Sequence, residues 1–158
     1  MKGEMRMHNG FEIITTPAQP TLYIRTTTPV DKMPDAIGKA LMAIAPYIGR
    51  MGGHHADAPF VAYRSMEMSN LDVEIGFPIA APLPGEGDIT AGSIPAGSKA
   101  IGMHKGPYQN LAATYDAMTA WMREKGVEPT GLVYEHYYNS PMEVAESELL
   151  TKLVFLLR

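Results

Sequence analysis

The chain has 158 residues, of which 46% are apolar and 19% charged, with a formal net charge of −4. That composition supplies a core for one folded domain and excludes wholesale disorder. No apolar run approaches the ~20 residues of a membrane-spanning helix, Leu153–Leu157 being strand-sized. The 13 Lys and Arg residues are scattered along an acidic chain, which argues against direct nucleic-acid binding. The absence of cysteine excludes disulfides, thiolate metal sites and a cysteine nucleophile. The opening residues, Met1–Gly10, hold no apolar stretch, so no secretory signal is expected and the chain reads as cytoplasmic, with no membrane partner.

Phe11–Thr16 is rich in β-branched residues and reads as a strand, and Pro17 and Pro20 precede a second strand at Thr21–Thr28. Asp31 stands where a helix cap is expected, with Pro34 in the first turn. Ile37, Leu41, Ile44 and Ile48 recur at spacings of 4, 3 and 4, the apolar stripe of an amphipathic helix. Pro46 predicts a kink near the end of that helix, and Gly49, Gly52 and Gly53 are expected to stop it. Pro59–Met66 and Leu71–Ala80 read as strands joined by a polar turn at Ser69-Asn70, and the Pro- and Gly-rich Ala81–Gly87 as a connector. An extended piece follows at Ile89–Ile94.

The pattern then begins again. Lys99–Lys105 reads as a strand and Gly106-Pro107 as a helix start, with Pro at the first helical position. Tyr108, Leu111, Tyr115, Met118 and Met122 form the buried stripe of a helix ending before Gly126. Leu132–Tyr138 and Leu149–Leu157 are strands, with a turn or short helix around Pro141–Ala145. Strand, helix, strand, strand therefore occurs twice, and Phe60–Tyr63 and Gly131–Tyr134 fall in the same slot of each half. The expected fold is α+β: one domain over residues 1–158, built from duplicated βαββ units at about 11–80 and 95–157. Pseudo-two-fold symmetry, an antiparallel sheet and a ligand pocket between the halves complete the expectation.

Glu135 interrupts an aromatic and apolar strand, with Val133, Glu135 and Tyr137 on one face and Leu132, Tyr134, His136 and Tyr138 on the other. A pocket carboxylate and an exposed glutamate on an outer sheet face are both compatible with the strand alone. In a pocket, desolvation raises the pKa of such a group and a bound cation lowers it. Tyr108 and Tyr115 share the helix stripe and are expected in the core, with their hydroxyls satisfied nearby. Trp121 lies about 100° from the centre of that stripe, at its margin. Tyr63 matches Tyr134 by position. Rings beside a carboxylate suit flat cationic ligands. His54, His55 and Asp57 have metal-binding chemistry, but adjacent histidines between glycine-rich turns read as a mobile loop, and no metal or other cofactor is expected. His104 is read as structural first and catalytic second. No G-x-S-x-G elbow or phosphate loop occurs.

Asp72–Ile79, Ile94–Gly97, His104–Tyr108, Tyr115, Trp121 and Tyr134–Tyr137, in that order, resemble the GyrI-like ligand-binding domains. These are the effector-binding domains of bacterial MerR- and AraC-class multidrug regulators, and they also occur as free-standing proteins. The resemblance runs from about Phe11 to Leu157 and implies the same duplicated βαββ fold. It assigns Glu135 to the family's pocket glutamate and carries ligand-binding roles to Tyr137, Tyr108, Trp121, Tyr63 and Phe77. It implies a free-standing binder of small hydrophobic or cationic aromatic molecules of the xenobiotic type. One alternative within the family is hydrolysis of cyclopropane-containing toxic compounds, with Glu135 as general base and Tyr137 or Tyr108 bonding the leaving group. A second is a protein partner, DNA gyrase or a regulator, bound through surface residues.

Overall fold

A computed structural model describes residues 10–65 and 67–158. Its strands are β1 (Phe11–Thr16), β2 (Gln19–Thr28), β3 (Phe60–Tyr63), β4 (Leu71–Pro78), β5 (Thr90–Ile94), β6 (Gly97–Lys105), β7 (Pro129–Tyr137) and β8 (Leu150–Leu157). Its two α-helices are α1 (Met33–Arg50), between β2 and β3, and α2 (Leu111–Lys125), between β6 and β7. The fold is α+β, with antiparallel pairing throughout the named strands.

The chain forms two packed units, Pro17–Ala96 and Gly97–Arg158, the latter completed by the described residues 10–16. In the first unit the strands run β3-β4-β2-β5 and in the second β7-β8-β6-β1, so each is a βαββ element with one added strand beside its first. By pairing, β1 belongs with the second run of chain and β5 with the first. Pro17-Ala18 and Pro95-Ala96 are the short connections at which the chain changes unit.

In the first unit, alternation along β2 and β4 puts Leu22 opposite Phe77 on one face. There they bury with Ile44, Tyr47 and Ile48 of α1, and with Ile79. Burying Leu22 and Ile44 completely is worth about 1.5–3 kcal/mol each. The Tyr47 hydroxyl donates to the Pro84 carbonyl at 2.6 Å, tying the connector to the helix. The helix continues past Pro46 and Gly49 to Arg50, and the turn after it holds Gly52 at φ 72°. In the second unit, Met118 and Met122 of α2 pack on Phe11, Ala100, Val133, Leu153 and Phe155. Gly126, at φ 71°, closes α2 in the left-handed conformation that favours glycine.

Three local expectations are corrected. Asp31 does not cap α1. A 3-10 turn at Val30–Lys32 precedes the helix, Lys32 occupies the cap position, and no side chain caps it. The bond from Lys32 N–H to the Pro29 carbonyl (3.0 Å) shapes that entry, and Pro34 removes one donor that a cap would have to satisfy. Pro107 is not the first helical residue. At ψ 150° it is extended, a 3-10 turn at Tyr108–Asn110 follows, and α2 begins at Leu111. Tyr108 therefore leaves the buried stripe and is 38% exposed. Finally, Tyr63 and Tyr134 do not take equivalent positions within their own units. Tyr63 opposes Val73 on the α1 side of its sheet, whereas Tyr134 opposes Val154 on the side away from α2. A one-residue offset between the matched slots is enough to invert every side chain.

Among the described residues, no helix is long and apolar enough to cross a membrane.

Candidate functional site

The site is built on β7. Gly131 sits at φ 103°, and the β7–β8 register shifts between Pro129 and Val133, a bulge-like irregularity that re-aims the rest of the strand. Beyond it Val133 opposes Phe155, Glu135 opposes Leu153 and Tyr137 opposes Thr151. Val133, Leu153 and Phe155 belong to the α2 core, so alternation directs Glu135 and Tyr137 to the same side.

Glu135 is 6% exposed. Its Oε1 accepts the Tyr137 hydroxyl at 2.6 Å, and its Oε2 accepts the Tyr115 hydroxyl from α2. The Tyr115 ring stands edge-on to Phe155, with centroids 5.5 Å apart. Removing a carboxylate from water is costly, and hydrogen bonds that involve a charged group, worth about 1.5–3 kcal/mol each, offset that cost. Tyr108 stands edge-on to Tyr137 at 6.0 Å and is part-exposed, so it forms the outer wall of the cluster. Burial, and secondarily the negative charge of Glu135, push the Tyr108 phenol above the usual tyrosine range. The field of the carboxylate thus reaches that outer wall.

His104, on β6, is 6% exposed. Its Nδ1 lies 2.7 Å from the Thr114 hydroxyl and its Nε2 3.0 Å from the Pro107 carbonyl. A carbonyl only accepts, so in the neutral ring Nε2 donates to Pro107 and Thr114 donates to Nδ1. Thr114 and Pro107 immediately precede Tyr115 and Tyr108, so this one imidazole anchors the backbone that carries both rings.

Of the residues singled out in the sequence, Glu135, Tyr137 and Tyr108 come together. Trp121 packs edge-on against Phe11 at 5.8 Å, with the Lys125 ammonium 5.8 Å from its ring. Tyr63 and Phe77 lie in the other unit, where Phe77 stacks on His55 with centroids 4.2 Å apart. The His54–Asp57 loop is tied to the end of β4 by backbone bonds from Ala56 to Pro78 and from Ala80 to His54, both 2.9 Å. Among the described residues, no three His, Asp or Glu side chains converge as a metal site. Sequence reasoning placed Tyr115 in the core but did not identify its hydroxyl as the second partner of Glu135. Its place on the α2 stripe, facing β7, was the available signal.

The sequence profile of the GyrI-like small molecule binding domain matches residues 10–158. A comparison with curated protein sequences gives no match. Among solved structures, the C-terminal domain of EcmrR is similar at 23% identity and a TM-score of 0.77, over 96% of this chain and 99% of that one. A hydrolase from Listeria innocua is similar at 17% identity and a TM-score of 0.70, over 99% and 98%. SAV2435 bound to tetraphenylphosphonium is similar at 5% identity and a TM-score of 0.61, over 94% and 93%. At these identities the likeness is one of fold.

Proposed function

Because the chain belongs to the GyrI-like family of small-molecule-binding domains, we propose that its ligands are organic cations bearing aromatic groups, of the xenobiotic type, and that Glu135 supplies the recognising charge. The observation that carries this reading is a glutamate buried to 6% exposure and held by two tyrosine hydroxyls, beside a part-exposed third ring. A cation about 4 Å from a carboxylate in such a setting gains on the order of 4 kcal/mol before desolvation is charged against it. Contact with Tyr108 or Tyr137 adds about 0.5–2 kcal/mol by cation–π attraction. The fold neighbour SAV2435 was solved with tetraphenylphosphonium, a cation of this chemistry.

The alternative of ring-opening hydrolysis needs a carboxylate oxygen open to water. Each Glu135 oxygen already accepts one tyrosine hydroxyl, and a carboxylate stabilised by two such bonds is a weaker base toward water. That arrangement favours recognition over proton abstraction. Titrating the isotope-labelled protein with tetraphenylphosphonium tests the proposal. The ring signals of Tyr108, Tyr115 and Tyr137 should shift together, saturably, ahead of those of Tyr47 and Tyr63. Shifts confined to other residues, or none at millimolar ligand, would contradict it.

A further inference from the structure

Thr151 is fully buried, and among the described residues its Oγ1 has no hydrogen-bond partner. An orphan hydroxyl in a packed interior is destabilising and calls for an explanation. Its position supplies one. Thr151 lies on β8 directly opposite His104 of β6 on one side and Tyr137 of β7 on the other, so all three share the α2 face of the sheet. Both nitrogens of His104 are engaged by Thr114 and Pro107, and the Tyr137 hydroxyl is given to Glu135. The neighbouring side chains are thus committed elsewhere, and the hydroxyl stands beside the very carboxylate cluster described above.

We propose that Thr151 is a second polar point of the ligand site, whose hydroxyl donates to a carbonyl-type acceptor carried by the ligand. Glu135 opposes Leu153, two residues along β8 from Thr151. Such diagonal cross-strand neighbours are about 7–8 Å apart. The ligand class that fits is therefore an aromatic cation bearing a ketone, ester or amide oxygen a few bonds away from its charge. This rests on the reading of the Glu135 cluster as a cation site. The orphan hydroxyl itself does not.

Thr151→Val keeps the shape and removes only the hydroxyl. Two probes separate the roles: a triphenylphosphonium with a ketone-ended alkyl tail, and its isostere ending in a branched alkyl group. Wild type should prefer the ketone-tailed cation by about tenfold, the scale of one net hydrogen bond. Thr151→Val should lose that preference while binding the alkyl-tailed cation as before. In urea unfolding without ligand, Thr151→Val should be at least as stable as wild type, because no satisfied bond is removed. A preference that survives in Thr151→Val overturns the proposal, as does a variant clearly less stable than wild type. Glu135→Gln keeps the two ideas distinguishable: if it leaves both affinities unchanged, the cation reading fails, whereas the urea result still judges the hydroxyl. If wild type binds neither phosphonium, the ligand half of the proposal falls with that reading.

Discussion

Each of the two units buries a glutamate, and each meets the carboxylate differently. In Pro17–Ala96, Glu74 lies on β4 on the face away from α1, 8% exposed, with the Arg64 guanidinium 2.7 Å from its Oε2. In the other unit, Glu135 lies on the helix face and is held by the hydroxyls of Tyr115 and Tyr137. A guanidinium cancels a carboxylate's charge, whereas neutral phenols solvate it and leave its field available. The two glutamates stand on non-equivalent strands, β4 and β7, and on opposite faces, so the repeated element order does not make one the counterpart of the other, and in our proposal Glu135 alone serves recognition.

The scaffold side of that comparison is tested by the largest effects. Leu22 and Leu153 are both fully buried, one in each core. Leu22→Ala and Leu153→Ala should each cost about 2–5 kcal/mol in urea unfolding. A cost below 1 kcal/mol at either site would show that the units are not equally packed. The next contrast concerns the tyrosines. Tyr115 donates to a carboxylate and Tyr47 to a neutral carbonyl. Tyr115→Phe should cost about 1.5–3 kcal/mol and Tyr47→Phe about 0.5–1.5 kcal/mol. The reverse order would mean that Glu135 does not hold a charge in the folded protein. Glu74→Gln should be milder still, about 0.5 kcal/mol, because the Arg64 side chain is 41% exposed and can turn to water. It should also leave cation affinity unchanged, measured by fluorescence titration.

The smallest effect is a titration. Tyr108 is held above the ordinary tyrosine value of about 10, first by burial and then by Glu135. Its neutral form is favoured in the folded state. Its contribution to stability is therefore full below the unfolded value and is lost as pH rises through the folded one. In Glu135→Gln, the Tyr108 midpoint should move down toward the ordinary value yet stay above it, because burial remains. An upward or absent movement, followed by the ring signals of Tyr108 in NMR, would place Glu135 out of electrostatic reach.

Most strands were legible because their cues are local. Phe11–Thr16 was bounded correctly by β-branched residues and Pro17, and Gly126 marked the end of α2. The helix starts were not, because Asp31 falls within a 3-10 turn and Pro107 is extended before another, and residue type does not distinguish these from a helix start. The partnering of β1 with β6 and β5 with β2 joins residues more than 60 positions apart, which no local pattern encodes. The match of Tyr63 to Tyr134 failed for a related reason: the residues resemble each other, but the bulge near Gly131 and a one-residue offset set the faces. In the candidate site, Glu135 and Tyr137 were readable as one strand face. Tyr115, His104 and Thr151 were not, because their parts depend on which hydroxyl or ring nitrogen meets which acceptor across strands.

In the proposed site the charge of Glu135, and not merely its volume, selects the ligand. Isothermal calorimetry of wild type and Glu135→Gln with tetraphenylphosphonium and with neutral triphenylphosphine oxide tests it directly. Glu135→Gln should weaken the cation by about 1.5–3 kcal/mol and leave the neutral compound nearly unchanged. Equal losses for both compounds, or none for the cation, would contradict the account.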